Sequence, residues 1–250
     1  MNIVVAVTLI LLAIILHEIG HAWAMHSKGV EFEEIGIGLK VWWLPSLKIT
    51  CNGIVLRFNL IPIIGYVENS ETGARQLEKL PYSDFSYVMG AGILVNLIYG
   101  FVLGLIVSLA SGGKFWFIPL LAIVILWLFR KPFCKYLVPA LGLLVFTFII
   151  YQITKAPTET MVGPIGLGIL VRDMSSSLTN VLIFVSAVSL SVALVNMLPF
   201  FGLDGGRIVG RVIEKISPTG ALVYKLVGLI LLSSMLILAF ASDALKLFKK

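Results

Sequence analysis

His17-Glu18-Ile19-Gly20-His21 is the stretch on which the reading of this chain turns. Its spacing is H-E-x-x-H. Residues four apart share one face of an α-helix, so His17 and His21 can point at one metal ion, with Glu18 beside it to take a proton from water. Zinc suits such a set, because catalytic zinc sites combine three protein ligands with one open position. The setting is unusual. Residues 3–16 are apolar apart from Thr8, and Ala22-Trp23-Ala24-Met25 follows. In a soluble helix the pattern is loose and is often a satisfied polar cluster. At membrane depth each ionisable group costs roughly 2.5 kcal/mol or more, and such groups mark function.

Composition places the rest of the chain in the same solvent. Of 250 residues, 59% are hydrophobic and 13% charged, about half the charge of a soluble domain. The net charge of +6 comes from scattered Lys and Arg with no basic patch, which excludes a nucleic-acid-binding surface. Cys51 and Cys134 lie far apart, so neither a disulfide framework nor a cysteine zinc site is expected. The N-terminus has no basic region before its apolar run and carries the metal motif, so it reads as a retained span and not a cleaved signal.

Apolar runs predict a polytopic α-helical membrane protein with about six transmembrane helices, at 2–25, 85–111, 115–129, 136–154, 178–201 and 219–241, forming a single domain over 1–250. With the N-terminus outside, the inner segments, counted with Lys225 near the inner end of the last span, hold 13 Lys and Arg and the outer ones 6, the asymmetry expected of cytoplasmic loops. Lys28 and the Arg130–Lys135 loop are then inside, and Lys155 is outside. His17 would lie roughly 22 Å along the first helix and about 8 Å from the inner edge of the hydrocarbon.

Between the first two spans, residues 36–67 predict a small membrane-associated β-hairpin or sheet. Asn52-Gly53 is a strong hairpin signal flanked by β-favouring residues. Gly36–Trp43 is a further strand candidate. Glu31, Glu33 and Glu34 read as a solvated acidic face. The Asn52-Gly53 hairpin, through Ile54, Leu56, Phe58 and Leu60, or the Phe58–Tyr66 stretch after it, is the candidate for pairing with an extended substrate strand, because a locally opened substrate helix needs partners for its backbone. Asn96 is a polar residue within the second span, where interhelical bonding and a site role are both open. Residues 155–177 read as an outer segment with Gly163-Pro164-Ile165-Gly166 in a turn.

The fifth span ends in Asn196-Met197-Leu198-Pro199-Phe200-Phe201-Gly202-Leu203-Asp204-Gly205-Gly206-Arg207. Pro199 breaks the helix. Asp204 is then held at inner membrane depth, on the same side as the histidines, and completes a set of His17, His21 and Asp204 for one zinc ion. His26 falls on the opposite helix face and is excluded.

These two segments together resemble the site-2 proteases, intramembrane zinc metalloproteases. The resemblance rests on His17–His21 and on Asn-x-x-Pro-x-x-x-Leu-Asp-Gly from Asn196 to Gly205. Phe58–Val67, with Pro62 and Gly65-Tyr66, is similar to the family's membrane-associated β segment. Gly92 and Asn96 match a further family motif in which Ile93 replaces a proline, and Gly163-Pro164 resembles the turn before the last core spans. No PDZ or CBS segment is seen. The resemblance implies hydrolysis of peptide bonds in transmembrane segments of substrate proteins or in remnant signal peptides. The implied setting is a lipid bilayer, with a prokaryotic plasma membrane and a cytoplasm-facing site expected. Glu18 would be the general base and acid, and Asn96 or Asn196 would steady the oxyanion or the substrate. A zinc-binding transporter or a non-catalytic scaffold is the alternative class, and oligomeric state is not readable.

Overall fold

Helix α1 (Asn2–Ser27) has 26 residues, about 39 Å at 1.5 Å per residue, more than the roughly 30 Å hydrocarbon thickness. The computed structural model describes residues 2–51, 53–62, 64–112, 138–144, 147, 164–174 and 176–248. The helix stops where Gly29 takes φ 69°. Val30 N–H then bonds back to Met25 O at 3.0 Å and Gly29 N–H to His26 O at 3.1 Å. This is a Schellman closure, and Met25 and Val30 pack together in the core as that motif requires.

A four-stranded sheet follows: β1 (Phe32–Ile37), β2 (Ser46–Cys51), β3 (Ile54–Asn59) and β4 (Gly65–Asn69). Its spatial order is β2-β3-β1-β4, with β1 and β3 parallel and the other neighbours antiparallel. The expected hairpin is present between β2 and β3, where Gly53 takes φ 82°; Asn52 lies outside the described residues. The first strand is earlier than expected. It covers 32–37, while Trp42 and Trp43 sit in the exposed connection to β2.

Glu34 is not on a solvated face. It is buried in β1, where Arg57 of β3 holds both of its carboxylate oxygens, at 2.6 and 2.7 Å, and the Tyr66 hydroxyl donates to it at 2.6 Å. The Arg57 bonds hold the Glu34 carboxyl below its ordinary range. Burial, then the bond to Glu34, pushes the Tyr66 phenol up to about 12. Gly36 lies under the Tyr66 ring, leaving no room for a side chain there. The network ties β1, β3 and β4 across the sheet.

The remaining helices are α2 (Glu71–Lys79), α3 (Tyr82–Ala110), α4 (Pro164–Met174), α5 (Leu178–Asn196), α6 (Asp204–Ile216) and α7 (Pro218–Phe248). Helices α1, α3, α5 and α7 are long and apolar enough to cross a membrane. They correspond to the spans expected at 2–25, 85–111, 178–201 and 219–241. The expected spans at 115–129 and 136–154 lie outside the described residues, apart from 138–144 and 147, which are helical. Among the described residues four helices therefore match expected spans, and the other two expected spans fall largely outside those residues. Helix α5 ends at Asn196, short of the expected 201, because Pro199 lacks a donor and disfavours helix just before it.

Amphipathic α2 and α6 were not signalled by apolar runs. Ser70 caps α2, its hydroxyl accepting from Gly73 N–H at 2.9 Å. The segment expected as a turn at Pro164 instead opens α4, a position that suits proline because its missing N–H is not needed. Asp243 of α7 accepts from Gly166 N–H at 2.8 Å; Gly163 lies outside the described residues.

The core sits where α1, α3, α5 and α6 meet, with Val88, Met89, Ile93, Ala193, Met197 and Ile208 buried together. Two serines fasten α5 to α3: Ser186 Oγ donates to Gly100 O at 2.6 Å and Ser189 Oγ to Asn96 O at 2.8 Å. Outer faces carry large exposed side chains such as Val4, Ile230 and Ile237, as helices facing lipid must.

Candidate metal centre

His17 and His21 project from one face of α1 into the α3 contact, and both are buried. Their rings meet edge-on at 78°, with centroids 4.8 Å apart. The close approach of the helices depends on small residues. A Cβ on Gly20 would lie 2.8 Å from Val95 Cγ2, and one on Gly92 would lie 2.7 Å from His17 Nε2 and closer still to His21. Gly92 is therefore the floor of the histidine pair.

Asp204 arrives from another part of the chain. After α5 the backbone turns at Gly202, φ 107°, and α6 starts with Asp204 as its first residue. Gly205 and Gly206 press against the carbonyls of Met197 and Phe200, where any side chain would collide. The Tyr224 hydroxyl lies 2.9 Å from the carbonyls of both Pro199 and Gly206, tying α7 to the turn. Arg211 donates to the Glu78 carbonyl and stacks over Phe85, 5.2 Å from the ring centre, fixing α6 against α2 and α3.

The three side chains converge. His17 Nε2 and His21 Nε2 are 3.1 Å apart, and each is 3.3 Å from Asp204 Oδ2. Ligands on a tetrahedral zinc with bonds of 2.0–2.1 Å must stand about 3.3 Å apart. The set therefore fits zinc without rearrangement. Asp204 Oδ2 is also fully buried and has no hydrogen-bond partner among the described residues. Such an atom is costly unless a cation takes it. Behind the ligand atoms, His21 Nδ1 bonds to Val88 O at 2.8 Å, and His17 Nδ1 lies 3.0 Å from Asn96 Nδ2.

Glu18 is buried beside the cluster and is not among the three groups that converge. Its carboxylate packs against Gly65, the first residue of β4, so closely that a Cβ there would lie 2.5 Å from Oε1. His21, His17, Asp204 and the exposed Arg207 all lie within its electrostatic reach.

Other site expectations are redistributed. Ile54, Leu56 and Phe58 lie on β3, which is flanked by β2 and β1; Leu56 and Phe58 are paired with both, and Ile54 with Cys51 of β2. Their backbone groups are already used, so β3 cannot be the pairing edge; Leu60 lies beyond the strand. The strand next to Glu18 is β4, and it is an edge. Asn96 reaches His17. Asn196 ends α5 half-buried and makes no bond to the cluster among the described residues. His26 is exposed, on the face away from the metal set. Sequence reasoning missed the Val88 carbonyl and the packing role of Gly65. A backbone acceptor leaves no mark on residue identity, but the Gly90-Ala91-Gly92 run marks close helix approach.

No individual curated protein matches the chain. The family model described as peptidase family M50 matches residues 5–241. That match spans both the helix bearing Glu18 and the two histidines and the turn bearing Asp204, so the chain belongs to peptidase family M50, the site-2 protease family of membrane-embedded metallopeptidases.

Proposed function

We propose that this protein is an intramembrane zinc endopeptidase that cleaves within or near transmembrane segments of substrate proteins or remnant signal peptides, holding one zinc ion per chain. The observation that carries the reading is the convergence of His17, His21 and Asp204 at zinc-ligand spacing with Glu18 alongside, all on or next to helices that can cross a membrane. Bound zinc would supply Lewis acidity and a water that ionises near neutral pH. Glu18 takes the proton of the attacking water on its carboxylate and delivers it to the leaving amine. Burial keeps bulk water from competing for that proton.

A substrate helix has its carbonyls bonded internally, and opening it at membrane depth leaves groups that each cost several kcal/mol. Strand β4 can take them up by adding the opened segment as a further strand. Gly38 N–H bonds to Ile64 O at 2.6 Å, which makes that opposed couple a hydrogen-bonded pair. In an antiparallel ladder such pairs alternate. Tyr66 and Glu68 then face β1, and Gly65 and Val67 turn their N–H and C=O groups to the open edge. The Lys and Arg distribution supports an outside N-terminus, with the site toward the cytoplasmic side of a prokaryotic plasma membrane.

The test is cleavage of a helical transmembrane substrate by purified protein in liposomes. Chelation should stop turnover and zinc should restore it. Glu18→Gln should keep zinc and lose cleavage, whereas Asp204→Ala should lose both. Full zinc content in Asp204→Ala, or turnover in Glu18→Gln, would refute the assignment.

A further inference from the structure

We infer that Asn96 is a positioning residue for the metal centre: its side-chain oxygen accepts the Nδ1 proton of His17, fixing the tautomer that turns Nε2 to zinc. The inference rests on the zinc reading above and concerns the layer behind the ligands. His17 Nε2 is the nitrogen facing His21 Nε2 and Asp204 Oδ2. With Nε2 as ligand, the neutral ring must carry its proton on Nδ1, so Nδ1 is a donor. His21 already obeys this rule, its Nδ1–H facing the Val88 carbonyl at 2.8 Å. His17 needs an equivalent acceptor.

The group facing His17 Nδ1 is Asn96, 3.0 Å away through Nδ2, with Oδ1 buried and without a hydrogen-bond partner among the described residues. Two donors cannot bond to each other. The two ends of a carboxamide are nearly the same size, so exchanging them costs no packing. Turned end for end, the amide places Oδ1 on the Nδ1 proton, and the amino group takes the buried position that Oδ1 held. The site is built for this contact. Asn96 is 1% exposed, and its own carbonyl is held by Ser189 Oγ of α5 at 2.8 Å. Asn96 thereby transmits the α3–α5 packing to the metal ligand. A bond to the ligand ring, and not to the reacting carbonyl, is the role this geometry assigns.

Zinc affinity decides the matter, measured by chelator competition on the purified full chain in detergent at neutral pH. Wild-type protein is measured first; failure to bind zinc there would defeat the zinc reading itself. Asn96→Leu keeps the volume and removes the acceptor, and should weaken zinc about 10- to 100-fold, as loss of such outer partners does. Asn96→Asp is acceptor-only and should hold zinc near the wild-type level, which a donor role would not allow; a packing role would instead leave zinc affinity unchanged in the volume-matched Asn96→Leu as well. Wild-type affinity in Asn96→Leu, or equal loss in both variants, overturns the inference. Should the variants fail to fold, nitrogen NMR of histidine-labelled, zinc-loaded wild-type protein reads the same point. His17 should show a protonated Nδ1 and a metal-bound Nε2; zinc on Nδ1 would overturn it.

Discussion

Replacing Gly65 by alanine should separate proton transfer from metal binding. A Cβ at this position would lie 2.5 Å from both Cγ and Oε1 of Glu18 and 2.8 Å from its Cδ. Ordinary contact begins at 3.4 Å, so the shortfall is 3.4 − 2.5 = 0.9 Å. Either the carboxylate or the end of β4 must yield by that amount. Gly65 has no left-handed φ, so alanine adds no backbone strain of its own. Overpacking of this kind costs about 1–3 kcal/mol. A displacement near 1 Å of a reacting group costs on the order of 100-fold in rate, or about 2.7 kcal/mol of barrier. Turnover of a reconstituted transmembrane substrate should therefore fall about 100-fold, while zinc per chain stays at one. Gly92→Ala is the converse control. Its Cβ meets His17 and His21 instead, so zinc should be lost along with turnover. Zinc loss in Gly65→Ala, or wild-type turnover with zinc bound, would refute the placement of Glu18 against β4.

Val67→Pro should impair cleavage and spare zinc, because it removes an N–H that faces the open edge of β4; normal cleavage would exclude strand addition at that edge. Glu34→Gln should destabilise the sheet at pH 7 by about 1.5–3 kcal/mol, the range for a hydrogen bond to a charged group. The Glu34 pKa is lowered in the folded state, so the contribution is full above the unfolded carboxyl pKa and lost as pH falls through the folded one. Thermal melts of variant and wild type should converge in acid below about pH 4, and an undiminished gap there would contradict the ion-pair account. Cysteine labelling in intact cells should reach a tag near Lys155 and miss tags after Lys28 or in the Arg130–Lys135 loop; the reverse pattern would invert the orientation.

How much of this was legible in the sequence follows from the range of each interaction. The candidate metal group, His17, His21 and Asp204, was legible because the cost of such side chains is local. Two histidines at helical spacing and an aspartate beyond a helix-breaking proline are anomalous in apolar surroundings whatever the fold. The β2–β3 hairpin was readable from Asn52-Gly53 for the same reason. Strand order was not. Alternation marks a strand but not its neighbours, so the hairpin through Leu60 and the Phe58–Tyr66 stretch after it are equal candidates for substrate pairing from sequence; only the insertion of β1 between β3 and β4 through a parallel pairing leaves β4 at the edge. Glu34 looked solvated because Arg57, its partner, lies 23 residues away. Helix α6 was hidden because it has no long apolar run, although it carries Asp204.

The placement of Gly65 and Gly92 shows how Glu18 and the two histidines, though neighbours in one motif, rest on different scaffolds. His17 and His21 face α3, whose Gly92, Val88 carbonyl and Asn96 meet the rings. Glu18 faces β4 of the sheet, whose register is held by the Glu34–Arg57–Tyr66 network. A substrate strand added to β4 would thus press on the strand that touches Glu18, while His17 and His21 stay clamped between helices. Coupling of that kind predicts that weakening the network, as in Tyr66→Phe, lowers cleavage more than it lowers zinc affinity. Equal losses would mean that the sheet and the helices move as one body and that the division does not exist.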